Sequence, residues 1–567
     1  MENILPRDAA QFMQWEWSNY EPYYQDLNAQ KLSPENVNGW LAGWSRLKEM
    51  IAETSWRLYA AVTVDTTDEL ADKSYQSFLD DLFPKAEAAN QLLKEKLLGS
   101  GLQPEGFHLQ LRNLQAQAEI FRESNLPLLA QELKLSRQYD KVIGAQTVEW
   151  QGTEVTLAQL TPVFQDQQRP VREEAWRLAA ERQLQDRAEI NMLWQELLDL
   201  RCQQAVNADL PGYRAYRWKQ LLRFDYSPDD CVSFHQAIEE VAVPAARRIY
   251  ERRRQQLGVE TLRPWDLNVD PLGRSPLRPF KNVEELEDKT TAIFHRVDPQ
   301  LGEYFEIMRR EGLLDLENRK GKAPGGYCSD FPVIRRPFIF TNAVGLHEDV
   351  MTLLHEGGHA FHVFETASLP YYDQLEVGNE MAEVASMSME LLASPYLSVE
   401  QGGFYNASEA ARARIEHLEA AICFWPYMAV VDAFQHWVYE NPDAAREPER
   451  CDERWGELWD RYMIGQDWNG LDSEKVTGWQ RKPHILQNPY YYIEYGMAQL
   501  ASIRVWSNSL ADQAGAVRAY RRALSLGGTV RLPELYTAAG ARFSFGARTL
   551  KEAVDLAECT IQELEAG

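Results

Sequence analysis

Apolar positions recur at helical spacing along most of the chain. One clear case begins at Pro84, a residue suited to the first turn of a helix, and carries Leu93 and Leu97 four apart. Gly99-Ser100-Gly101 then stops it. The same spacing runs through residues 39–60, 172–205 and 407–433. Period-two alternation is confined to Thr147-Val148-Glu149-Trp150 and Thr153-Glu154-Val155-Thr156-Leu157, which flank Gln151-Gly152 and predict a hairpin. The pattern predicts a mostly α protein without an internal repeat. Its longest apolar run, residues 420–431, includes Pro426 and is too short to span a bilayer, so it reads as a buried helix.

Breaks in the pattern suggest the organisation. Residues 165–172 are mostly polar and contain Pro170, which places a boundary between an N-terminal helical lobe, 1–165, and a larger domain, 166–567. Pro264, Pro271, Pro276 and Pro279 make residues 262–280 a loop. Arg247-Arg248 and Arg252-Arg253-Arg254 lie near the end of a helix stopped by Gly258 and read as a solvated face.

Composition narrows the function. A net charge of −26 repels phosphate backbones and anionic lipid heads, so neither nucleic acid nor a membrane is expected as a partner. A charged fraction of 25% beside an apolar fraction of 45% suits a globular protein with a large core. The six cysteines stand far apart, with no Cys-x-x-Cys pair, so neither a disulfide framework nor a thiolate zinc site is expected. The start of the chain, Met1 to Asp8, lacks a basic stretch followed by an apolar one. A cytoplasmic protein in a reducing compartment is the expectation.

The chemistry concentrates in His355-Glu356-Gly357-Gly358-His359. On a helix, His355 and His359 project from one face and can share a tetrahedral zinc. Glu356 lies beside them, where it can hold a zinc-bound water and take its proton. With 10 His and 85 acidic residues in the chain, chance gives roughly 0.03 such matches. Each glycine inside a helix costs about 1 kcal/mol relative to alanine, so the pair implies close approach of a substrate or of another helix. His362 is about 10 Å from His355 along the axis and cannot share the ion. A third ligand is needed, and Glu380, Glu383 and Glu390 fall near one face of a following helix. Spacing does not choose between Glu380 and Glu383.

Two further stretches suggest substrate handling. Pro324-Gly325-Gly326-Tyr327 is a turn, and Pro337-Phe338-Ile339-Phe340-Thr341-Asn342 reads as an edge strand able to hold an extended peptide. Near the C-terminus, His484 is followed by Pro489-Tyr490-Tyr491-Tyr492-Ile493-Glu494-Tyr495. Such O–H and N–H groups can stabilise an oxyanion.

Together these motifs resemble the thimet oligopeptidase and oligoendopeptidase F family of zinc metallopeptidases, the Pz-peptidase-like bacterial branch above all. The matching residues are Gly325-Gly326-Tyr327-Cys328, Pro337 to Phe340, His355 to His362, Glu383-Val384-Ala385-Ser386 and Pro489 to Tyr495. The resemblance implies Glu383 as third ligand, because the family's glutamate opens a Glu-x-x-Ser element. It implies one Zn2+ per chain, and His484 and Tyr495 as catalytic donors. It also implies substrate contacts at Tyr491, Tyr492, Phe338, Ile339, Gly325 and Gly326. The fold implied is a large helical bowl with a deep central channel and a small β-sheet beside the active-site helix. The activity implied is hydrolysis of short unfolded oligopeptides by an endopeptidase, with Glu356 as general base. The motifs suit an exopeptidase equally, and a catalytically silent peptide-binding protein is the rival from another class.

Overall fold

Helices dominate the computed structural model, which describes residues 5–319, 321–323 and 325–566. Pro324 of the expected turn and residues 1–4 lie outside the described residues. In chain order, α1 is Val37–Val64 and α2 Phe83–Ser100, the latter with Pro84 in its first turn and Gly101 at φ 69° capping its end. Strands β1 (Thr147–Trp150) and β2 (Thr153–Thr156) form the expected hairpin. Gln151 and Gly152 both take positive φ, 52° and 80°, as a tight two-residue turn requires.

The periodic stretch 172–205 is two helices, α3 (Arg169–Gln185) and α4 (Arg187–Asn207). The break is Asp186, whose carboxylate accepts hydrogen bonds from Arg182 (2.7 Å) and Gln146 (2.8 Å). Helix α5 (Pro228–Leu257) starts on a Ser227–Asp230 capping box and ends at Gly258 in the left-handed region. Strands β3 (Leu314–Glu317), β4 (Tyr327–Phe331) and β5 (Arg336–Ala343) precede α6 (His347–Thr366) and α7 (Asn379–Ala393). Helix α8 (Ala407–Glu440) contains the apolar run 420–431, and α9 (Tyr492–Ala511) and α10 (Gln513–Ser525) follow. No helix among the described residues is long and apolar enough to cross a membrane.

The chain packs into two compact units, neither of them a continuous stretch. One holds the described residues up to 121, with 278–410 and 501–543; the other holds 122–277, 411–500 and 544–566. In the first unit the sheet order is β3-β5-β4, with β3 parallel and β4 antiparallel to β5. This corrects the expectation for residues 337–342. Strand β5 is central, with its backbone paired on both sides, and Ile339 and Phe340 are completely buried. Phe338 stacks on Phe331 of the neighbouring strand at 5.9 Å. The two edge positions belong to β3 and β4, each of which among the described residues pairs only with β5.

In the second unit the basic cluster on α5 divides: Arg247 and Arg248 are exposed, as a solvated face requires, while Arg253 is tied to the chain's own backbone. Arg253 donates to the backbone carbonyls of Asp266 (3.0 Å) and Leu267 (2.6 Å), pinning the proline-rich loop 262–280. Arg252 pairs with Glu419, and Arg248 with Glu558 at 2.8 Å.

Candidate metal centre

Strand β5 leads into α6 through a short connection fixed by one side chain. The Asp349 carboxylate, in the first turn of α6, accepts from the backbone N–H of Val344 (2.9 Å), Gly345 (2.8 Å) and Leu346 (2.7 Å). Leu346 is the N-cap of α6, so this carboxylate ties the connection to the first turn of the helix. From that anchored start, His355 and His359 emerge one turn apart with ring centroids 5.0 Å from each other.

The two glycines between them have a packing cause. A Cβ on Gly358 would lie 2.5 Å from the carbonyl oxygen of Ala385 and 2.5 Å from Ser386 Cα, so the backbone of α7 occupies that space. A Cβ on Gly357 would meet the tip of the Phe294 ring at 2.5 Å. The bare surface at Gly358 therefore admits α7 to close contact with α6. Tyr520 of α10 donates to the Ala385 carbonyl at 2.8 Å from the same region.

That contact delivers Glu383. Its Oε2 is 3.4 Å from His355 Nε2 and 3.8 Å from His359 Nε2. One ligand atom from each of the three residues lies within 4.8 Å of the others. Ser386 donates to the same Oε2 at 3.0 Å and steadies the carboxylate. Glu390, about two turns further along α7, holds His355 Nδ1 at 2.6 Å. A proton on Nδ1 held there leaves the Nε2 lone pair directed at the cluster. Glu380, the other sequence candidate, is not part of this convergence, and neither is His362.

Electrostatics suit a cation. Glu383 is 2% exposed, and a buried carboxylate facing two imidazole nitrogens is a set that a divalent ion neutralises. Burial pulls His359 down to about 4 and does the same to His362. Burial acts the same way on His355, but its hydrogen bonds to Glu383 and Glu390 prevail and hold it well above the ordinary histidine range. Glu356 is buried beside the trio, and burial pushes its carboxyl up to about 7, with His355 opposing and Glu383 and Glu390 adding. A carboxylate with that proton affinity is matched to taking a proton near neutrality.

The C-terminal motif gathers in the second unit. His484 has the rings of Tyr491 (5.6 Å), Tyr492 (5.1 Å) and Tyr495 (5.6 Å) around it, and its Nε2 is 3.4 Å from the Tyr495 hydroxyl. Tyr492 is buried against Phe424 (5.5 Å) and Tyr427 (5.9 Å), whereas Tyr491 and Tyr495 are half-buried. Gly325, at φ 96°, and Gly326 lead into β4 in the first unit.

Sequence reasoning missed what shapes this motif. Tyr490 has φ 67°, unusual for a bulky residue, and is completely buried. Arg223 donates to its carbonyl (2.6 Å) and to Glu494 (2.5 Å), Arg217 donates to the Pro489 carbonyl (3.2 Å), and Arg201 to that of Leu486. Three arginines within residues 201–223, far from this motif in sequence, thus grip the carbonyls of Leu486, Pro489 and Tyr490. Glu390 could have been suspected from its place on the Glu383 face; the arginines left no local signal.

Known proteins share parts of this sequence and the overall fold. Oligopeptidase PepF of Bacillus subtilis (strain 168) is 27% identical over 230 residues, covering 39% of this chain and 33% of that protein. An oligoendopeptidase F homolog of Borreliella burgdorferi is 22% identical over 331 residues, 57% of this chain and 54% of the relative. The match thus spans a third to about half of these relatives' length. The solved structure of Pz peptidase A with an inhibitor superposes with a TM-score of 0.90 at 26% identity, over 99% of both chains. Residues 163–554, well over half of the sequence, match the model of peptidase family M3, and on that match the chain belongs to this family.

Proposed function

We propose that this protein is a zinc-dependent endopeptidase of short, unfolded peptides. The observation that carries the reading is the convergence of His355, His359 and Glu383, with a buried Glu356 beside them. These three residues would hold one zinc ion. Bound there, zinc supplies a Lewis acid that acidifies water and polarises a carbonyl.

The remaining work falls to the chain's own groups. Glu356 takes the proton of the attacking water and returns it to the departing amine. Glu390 keeps the His355 ring turned so that Nε2 stays a ligand. An extended peptide adds to the edge of β4, just beyond Gly325 and Gly326, by main-chain hydrogen bonds. The family motif assigns the oxyanion donors to His484 and Tyr495, with Tyr491 as the accessible neighbour. Six free thiols support a reducing, cytoplasmic setting.

Glu356→Gln tests the assignment. Turnover should fall by about 10²–10⁴-fold, the usual contribution of a positioned base, while zinc and peptide still bind. Full activity in that variant refutes the role of Glu356. An internally quenched peptide blocked at both ends should be cut by the wild type; if it stays intact, the enzyme is an exopeptidase.

A further inference from the structure

A second cluster of ligand side chains lies in the other unit. Cys231 and His235 are four apart on α5, and Asp432 and His436 are four apart on α8, so each pair leaves one face of its helix. All four are buried, at 0%, 5%, 0% and 5% exposure. Ligand atoms of Cys231, Asp432 and His436 lie within 4.8 Å of one another. His235 Nε2 is 2.8 Å from Asp432 Oδ2, and His436 Nε2 is 3.3 Å from the same oxygen.

Hydrogen bonding does not account for this arrangement. Asp432 Oδ1 and both ring nitrogens of His436 lack a hydrogen-bond partner among the described residues. Buried polar atoms are nearly always paired, and three orphans in one cluster need a cause. His235 hydrogen-bonds Asp432 Oδ2 and His436 Nε2 approaches the same oxygen at 3.3 Å, which leaves Asp432 Oδ1 and His436 Nδ1 unaccounted for among the described residues. Aromatic rings close the site, with Trp218 at 6.0 Å and Tyr490 at 5.1 Å from the His436 ring. The nearby cation Arg223 is paired with Glu494 at 2.5 Å.

We propose that Cys231, Asp432 and His436 form a second, structural zinc site, with His235 as the fourth ligand once its ring turns from Asp432 to the ion. Sulfur, two imidazoles and a carboxylate make a four-ligand set typical of zinc, and the thiolate disfavours magnesium or calcium. With four protein ligands no position remains for a substrate, so the ion is structural. Binding releases the Cys231 proton to the buffer. The site joins α5 to α8, where the Gln435 side chain accepts from the Tyr490 N–H at 2.7 Å, so the ion also supports the loop that carries His484 to Tyr495. Linear motifs missed it because the ligand pairs stand about 200 residues apart and each has helical i,i+4 spacing.

The test is cobalt titration of full-length, metal-stripped protein. A thiolate ligand gives cobalt a charge-transfer band in the near ultraviolet, and the His355–His359–Glu383 centre contains no thiolate. The wild type should bind two equivalents and show the band. The His355→Ala/His359→Ala variant should bind one and keep it. In that background Cys231→Ser should abolish the band, while Cys328→Ser should leave it. A single equivalent in the wild type without the band overturns the proposal, as does a band that survives Cys231→Ser. The wild-type count decides the matter even if a variant fails to fold.

Discussion

Gly358→Ala puts the packing account of the metal centre under direct strain. The new Cβ would sit 2.5 Å from the Ala385 carbonyl oxygen, and ordinary van der Waals contact begins at 3.4 Å. The obstacle is helix backbone, which cannot swing aside as a side-chain tip can, so α7 has to back away from α6. Glu383 lies two residues before Ala385 and moves with it. Zinc–ligand distances tolerate about 0.2 Å, far less than the displacement required. We therefore expect zinc affinity to weaken about 10–100-fold, or about 1.4–2.8 kcal/mol. Overpacking costs about 1–3 kcal/mol of stability, offset by about 1 kcal/mol from replacing a helical glycine. Gly357→Ala is the internal control, because the nearest atoms to its new Cβ belong to the Phe294 side chain rather than to the backbone of α7. Competition with a chromogenic chelator gives the affinities, and thermal unfolding in excess chelator gives the stabilities. Wild-type zinc affinity in Gly358→Ala, or a larger loss in Gly357→Ala, refutes the reasoning.

Two further substitutions probe the supports of each cluster. Glu390→Gln removes the carboxylate that orients His355, and zinc affinity measured in metal buffers should drop about 10–100-fold with the fold intact by circular dichroism. Arg223→Met removes the buried cation paired with Glu494, which should cost about 3–5 kcal/mol in denaturant unfolding. Adding Glu494→Met should recover most of that loss; no recovery means that the ion pair is not what Arg223 contributes.

Legibility in the sequence followed the range of the interaction. The His355–His359 pair and the hairpin around Gln151-Gly152 depend on neighbours along the chain, and both stand where periodicity and turn chemistry put them. The two glycines pointed to a close approach, and the structure identifies the approaching group as α7. Glu383 needed the family resemblance, since helical spacing left Glu380 equally eligible. Strand β5 was misread as an edge because β3, a four-residue strand that ends at Glu317, gave no signal that it would pair there. The carbonyl-gripping arginines 201, 217 and 223, and the Cys231–His436 cluster, arise only from tertiary packing. The loop 262–280 was legible as irregular, but its tether to Arg253 was not.

The most direct measurement is anomalous diffraction at the zinc absorption edge from crystals of the full chain. The account predicts a peak bonded to His355 Nε2, His359 Nε2 and a Glu383 carboxylate oxygen, with Glu356 alongside but not bound. A zinc-loaded crystal with no peak at those three residues, or with Glu383 turned away from the two histidines, contradicts it.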